Sequence, residues 1–207
     1  MLHGDVLGER ARLTPEKTAL VTVPGGLRLA YGELNRQAAD CAAMWRDRFG
    51  LRAGDRVGIL AHNRVEYVVA FFAALKSGII LVTLGTRLTA TELQHIVLDS
   101  GMQVLLYDGE FRDTIGALKT KVPVGRWVDL DGPDWPVWME EADGSSGSTA
   151  RVDPEDTCCL LYTSGTTGKP KGVMIPHRMV AWNGFNTVCG WQLEEGDVSP
   201  IFTPLYH

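Results

Sequence analysis

Between residues 31 and 49 the apolar side chains Leu34, Ala38, Cys41, Ala42, Trp45 and Phe49 recur every three or four positions, which gathers them on one face of an α-helix. Residues 56–61 are mostly apolar and read as a strand buried on both faces. Asn63, with Glu66 three residues on, has the form of a capping box that opens a helix over 64–77, and Gly78 suits its end. A strand at 79–84 follows. Thr89 with Glu92 then caps a second helix that stops near Gly101. Two more strands are predicted at 104–107 and 127–130, with a weaker helix between them. Strand–helix–strand units repeated in this way predict an α/β fold of mostly parallel sheets flanked by helices.

The pattern changes after residue 130. Residues 131–156 are rich in Gly, Ser, Asp and Pro, a composition that predicts a flexible surface connection. Trp135, Trp138 and Met139 in its first half are expected to pack on the sheet. Beyond it come predicted strands at 157–162, 172–175 and 198–203, with a helix over 178–191. The expected organisation is therefore a first α/β lobe over 1–130, a flexible linker over 131–156, and the incomplete start of a second lobe over 157–207.

Composition narrows the function classes. Of the 207 residues, 45% are hydrophobic and 22% charged, with a net charge of −5. That describes an ordinary globular chain and argues against a nucleic-acid surface. The apolar stretches 67–75 and 79–84 are interrupted by Lys76, Ser77 and Gly78. Both fall short of the roughly 20 residues of a membrane-spanning helix, so no transmembrane segment is expected. Neither a secretory leader nor a run of like charges marks the N-terminus. Cys41, Cys158, Cys159 and Cys189 have no metal-ligand spacing. Cys158 and Cys159, adjacent on a strand, are expected on opposite faces, and reduced thiols fit a cytoplasmic setting. His3, His62 and His95 are scattered and lack ligand spacing as well.

The chemistry concentrates in residues 160–173, LLYTSGTTGKPKGV. An apolar run leads into a loop without bulk. Thr163, Ser164, Thr166 and Thr167 carry hydroxyls, Gly165 and Gly168 admit unusual backbone angles, and Lys169 and Lys171 bring positive charge. Such a loop can turn several backbone amides toward one anion, and the polyphosphate of a nucleotide is the ligand that fits. A Walker loop is excluded: two residues rather than four separate Gly165 from Gly168, and Pro170 stands where a Ser or Thr is required. Turn chemistry in a hairpin accounts for the glycines and Pro170, but not for four hydroxyls and two lysines.

YTSGTTGKPKGV, followed by His177 and Arg178, resembles the phosphate-loop signature of the adenylate-forming (AMP-binding) superfamily. Further segments resemble the same family: LAYGEL at 29–34, GDRVGIL at 54–60, AFFAALKSG at 70–78, RLTATELQHIVLDSG at 87–101 and PLYH at 204–207. The likeness covers nearly the whole chain and implies part of the N-terminal domain of an acyl-CoA synthetase, with VSPIFTPLYH at 198–207 similar to the fatty-acid–CoA ligase branch. It implies ATP and Mg2+ as cofactors, with a carboxylic acid and coenzyme A as substrates. Thr163, Ser164, Gly165, Thr166, Thr167, Gly168, Lys169 and Lys171 would hold the phosphates. Thr163 would also touch magnesium, and His207 would border the acyl pocket. The family's catalytic lysine has no counterpart here, so no residue is assigned as catalytic. The missing C-terminal region is the implied partner, and the 207 residues are expected to be inactive on their own. Alternatives are a non-catalytic phosphate- or partner-binding module, or part of an aryl-CoA ligase or a peptide-synthetase adenylation domain. His177 is expected to be a cap or surface turn residue.

Overall fold

A computed structural model describes residues 5–146, 150–163 and 169–207. Helix α1 (Val6–Leu13) and a small antiparallel pair, β1 (Thr18–Val21) with β2 (Arg28–Ala30), precede the long helix α2 (Tyr31–Asp47). Then strands and helices alternate: β3 (Arg56–Leu60), α3 (Val65–Ser77), β4 (Ile80–Thr83), α4 (Ala90–Ser100), β5 (Val104–Tyr107), α5 (Arg112–Lys119) and β6 (Arg126–Asp129). Helix α6 (Asp134–Glu141) leads to β7 (Thr157–Thr163), β8 (Lys171–Pro176) and α7 (His177–Trp191).

Among the described residues these strands make a six-stranded sheet in the order β6-β5-β3-β4-β7-β8. All neighbours run parallel except β7 and β8, which are antiparallel. Side chains alternate between its faces as a pleated strand requires. Val57, Ile59, Leu81, Val104 and Leu106 join the cluster that includes α2 and α3. Leu60, Val82, Leu105 and Tyr107 join the one that includes α4 and α5. A mostly parallel sheet with helices on both faces is thus the observed architecture.

The local stop signals act as their chemistry dictates. The Thr89 hydroxyl accepts from Glu92 N, the Glu92 carboxylate accepts from Thr89 N, and Gly101 ends α4 in the left-handed region. Gly78 ends α3 in the same way.

Four expectations change. Residues 157–207, read as the start of a second lobe, instead supply β7 and β8 to the same sheet, with Leu81 opposite Cys159. β7 thereby covers the edge that β4 would otherwise leave open. The linker over 131–156 contains α6, whose Trp135 is buried and whose Trp138 stands edge-on to Phe49 at 5.6 Å. Gly144, farther along it, donates its N–H to Asp40 on α2 at 3.0 Å. Residues 198–203 form no strand: they have no ladder partner, and Val198 and Phe202 are exposed. Finally, two residues of β7 oppose one of β8 between Thr157 and Cys159. This bulge breaks the alternation, so Cys158 and Cys159 enter the same core cluster. Cys158 donates to Ile175 O at 3.2 Å, and its contact with Cys159 together with burial pushes the thiol up.

The outer surface of α7 is unlike the rest. Met179, Trp182, Phe185, Val188 and Trp191 are all exposed, and Val173 and Met174 on β8 extend this apolar surface.

Candidate functional site

In an open α/β sheet, ligands bind outside the carboxyl ends of the parallel strands. β7 runs parallel to β4 and delivers Thr163 to that edge. There β7 and β8 form the two stems of a hairpin in which Thr163 lies directly opposite Lys171. The expected phosphate loop therefore has both stems at the carboxyl edge. Thr163, Lys169 and Lys171 are exposed there, so their polar groups are free to meet a solvent-borne ligand. Ser164, Gly165, Thr166, Thr167 and Gly168 lie outside the described residues.

Helix α4 flanks the stems. The Tyr162 hydroxyl donates to Asp99 Oδ2 at 2.7 Å. His95 Nε2 donates to the Pro170 carbonyl at 3.1 Å. Burial, and next the Asp99 carboxylate, push the Tyr162 phenol well above its ordinary value, so it stays a donor at neutral pH.

The C-terminal segment reaches the same edge. Thr83, the last residue of β4, donates its hydroxyl to Tyr206 O at 3.1 Å. Asn63, just beyond β3, donates to Thr203 O and accepts from Leu205 N, each at 2.8 Å. This replaces the expected capping role: the side chain ties down a segment 140 residues away, and α3 begins at Val65 with Arg64 at the cap position and no side-chain cap. His207 is exposed at the end of the segment, its ring centroid 4.6 Å from that of Tyr206. Beneath, Tyr67 is buried, and burial pushes its phenol up. Thr163 and His207 are thus brought to one edge of one sheet.

The neighbouring carboxyl ends are closed by ion pairs. Arg64 bridges Asp108 at 2.6 Å and Asp131 at 3.0 Å, and Asp108 also accepts from His62 N. His177, expected as a cap or surface residue, is buried at the start of α7, its backbone N–H donating to Asp156 O. Among the described residues no group of three or more His, Cys, Asp or Glu side chains could hold a metal ion.

The model of the family of AMP-binding enzymes matches residues 7–207. The chain belongs to this family. It is 36% identical over 204 residues to a feruloyl-CoA synthase of Amycolatopsis, covering 96% of this chain and 38% of that protein. It is 33% identical over 178 residues to the long-chain-fatty-acid–CoA ligase FadD13 of Mycobacterium tuberculosis, covering 86% of this chain and 35% of that one. Among solved structures it is similar to the inhibitor-bound N-terminal domain of FACL13 from the same organism, with a TM-score of 0.86, 28% identity, and coverage of 99% of this chain and 52% of that one. The chain spans little more than a third of the length of these curated relatives.

The motif singled out the hairpin, and the fold brings both of its stems to the carboxyl edge of the sheet. Sequence reasoning missed His95, Asp99 and Asn63 as parts of the site. The four-residue interval between His95 and Asp99 was visible, but only strand order reveals what that helix face meets.

Proposed function

We propose that residues 163–171 grip the β- and γ-phosphates of ATP while a carboxylate attacks the α-phosphorus, giving an acyl-adenylate and pyrophosphate. Coenzyme A then displaces AMP to form a thioester. The observation that carries this reading is the pairing of Thr163 with Lys171 at the carboxyl edge of the sheet, in a chain of the AMP-binding family. Negative charge grows on the departing pyrophosphate. Lys169, Lys171 and the loop's amides and hydroxyls would stabilise it as donors already in place.

His207, held at the same edge through Asn63 and Thr83, would border the acyl group. Thr163 offers magnesium a single oxygen. That fits an ion that keeps several waters and takes further ligands from the nucleotide's phosphates. None of these 207 residues is assigned the catalytic lysine's role, which a C-terminal region such as the longer relatives have would supply, and the setting is cytoplasmic. With no catalytic lysine assigned among them, the 207 residues are expected in this reading to bind ATP without turning it over.

The carboxylic acid is a fatty acid in this reading. An aryl acid is the second reading, favoured by the feruloyl-CoA synthases among the relatives.

Two measurements test the assignment: ATP binding, and ATP–pyrophosphate exchange over a panel of fatty, aryl and amino acids. Both compare the chain with the Thr167→Ala, Lys171→Ala double variant. The expected result is ATP binding that the double variant loses, and no exchange. Equal affinity in the two proteins would remove the phosphate assignment, and exchange by the chain would overturn its inactivity.

A further inference from the structure

His95 and Asp99 lie four residues apart, hence on one face of α4. That face meets both sides of the hairpin, at Tyr162 on β7 and at Pro170 just before β8. Asp99 takes the hydroxyl of Tyr162, the residue before Thr163. His95 holds the carbonyl of Pro170, the residue before Lys171. One helix thus holds both sides of the hairpin, at Tyr162 just before Thr163 and at Pro170 between Lys169 and Lys171, each next to a position assigned to the phosphates.

The helix is suited to act as a brace. Its start is fixed by the Thr89–Glu92 box, and Leu93, Ile96 and Val97 anchor it in the core. Its bond to Tyr162 depends on Gly172. Tyr162 lies opposite that glycine in the ladder, and a Cβ there would stand 3.0 Å from the ring. Proline at 170 has no N–H to give, so its carbonyl is the one backbone handle it offers, and His95 takes it.

We propose that His95 and Asp99 are positioning residues that set the spacing of the two stems of the phosphate loop, Asp99 through Tyr162 and His95 through Pro170. The brace rests on the reading of residues 163–171 as a phosphate grip for its purpose, though not for its geometry. Neither side chain is assigned a contact with the nucleotide.

The test follows amide hydrogen exchange across the whole 207-residue chain, with ATP affinity measured in parallel, for Tyr162→Phe, His95→Leu and His95→Gln. Tyr162→Phe keeps the ring and removes only the donor. His95→Gln keeps an N–H donor for the Pro170 carbonyl, whereas His95→Leu does not.

Exchange in 163–171 is expected to rise by about threefold to tenfold in Tyr162→Phe and His95→Leu, the span of one net hydrogen bond. Strands β3, β4 and β5 should be unchanged, ATP binding should weaken by a similar factor, and His95→Gln should recover most of the loss. Unchanged exchange in 163–171, or acceleration spread evenly over the chain, would overturn the brace, the second result marking a plain stability contact. Exchange that responds as expected while the wild-type chain binds no ATP would keep the brace and remove the phosphate reading.

Discussion

Tyr162 and Gly172 face each other across β7 and β8, and the phenol ring of Tyr162 fills the space beside Gly172 that a side chain would need. Two effects oppose each other when Gly172 becomes alanine. Glycine in a strand costs roughly 0.5–1 kcal/mol against alanine, so the substitution gains that much. Crowding a packed position costs about 1–3 kcal/mol. With the ring held by Asp99, crowding wins. Gly172→Ala is expected to lower stability by about 1 kcal/mol in urea unfolding. Tyr162→Leu made in the same chain should remove the penalty, which a double-mutant cycle reads directly.

Asn63 joins the end of β3 to the C-terminal segment through two hydrogen bonds. Asn63→Ala removes both and leaves Thr203 O and Leu205 N to water. Because the segment is on the surface, the loss should stay local, about 1 kcal/mol for its docking. Amide exchange should rise at Leu205 and leave α3 unchanged. A fall in the protection of α3 would show that Asn63 caps that helix after all.

The core of the fold was legible in the sequence, and the reason is periodic. Helices such as α2 and α4 announce themselves through a 3.6-residue apolar stripe and through caps. Of the five strands that run parallel, β3, β4 and β5 are short, mostly apolar runs between them. Pairing order leaves no such trace. That β7 joins β4 depends on which edge lies open after β3, β4 and β5 have assembled, and 157–207 therefore looked like a new lobe. The bulge at Cys158 was hidden for a related reason: it is a register difference between two strands and belongs to neither alone. Site legibility followed the same division. The hairpin was visible because its residue types are unusual, whereas its brace is a tertiary contact between ordinary side chains.

Gly144 shows that the apparent linker is packed. A Cβ on it would lie 2.4 Å from the Ala39 carbonyl carbon and 2.6 Å from Asp40 N, both backbone atoms of α2 that cannot turn aside. Gly144→Ala must lift the segment from the helix and break the bond to Asp40. A loss of about 1–3 kcal/mol is expected in thermal or urea unfolding. Gly116, beside which a Cβ meets nothing within 4 Å, is the control: alanine there should be neutral or stabilising, by about 1 kcal/mol at most.

The exposed face of α7 gives the opposite expectation. Trp182 and Phe185 stand edge to face at 5.7 Å, yet each is more than half exposed. Replacing both with serine removes little buried area, so stability should change by about 0.5 kcal/mol or less. Binding of a hydrophobic dye should fall, because the contiguous apolar patch is broken. A loss of several kcal/mol would mean that this face is packed in the folded chain.

Asp131 provides a pH test with a definite sign. Its carboxylate accepts from Gly109 N at 2.7 Å and from Arg64 at 3.0 Å. The backbone bond foremost, and then Arg64, hold it below its ordinary value of 3.8. A carboxyl that is more acidic in the folded chain than in the unfolded one favours folding whenever it is ionised. That contribution is complete above the unfolded value and disappears as pH falls through the lower folded value. Asp131→Asn keeps an acceptor for Gly109 and removes the charge. Wild type should therefore exceed the variant by a constant margin between pH 7 and pH 5, and the two should converge toward pH 3. Urea unfolding at the three pH values measures the margin. The carboxylate is nearly half exposed, so the effect should be small and should shrink further in high salt. A margin that persists unchanged at pH 3 would mean that Asp131 acts through packing, with its charge contributing nothing.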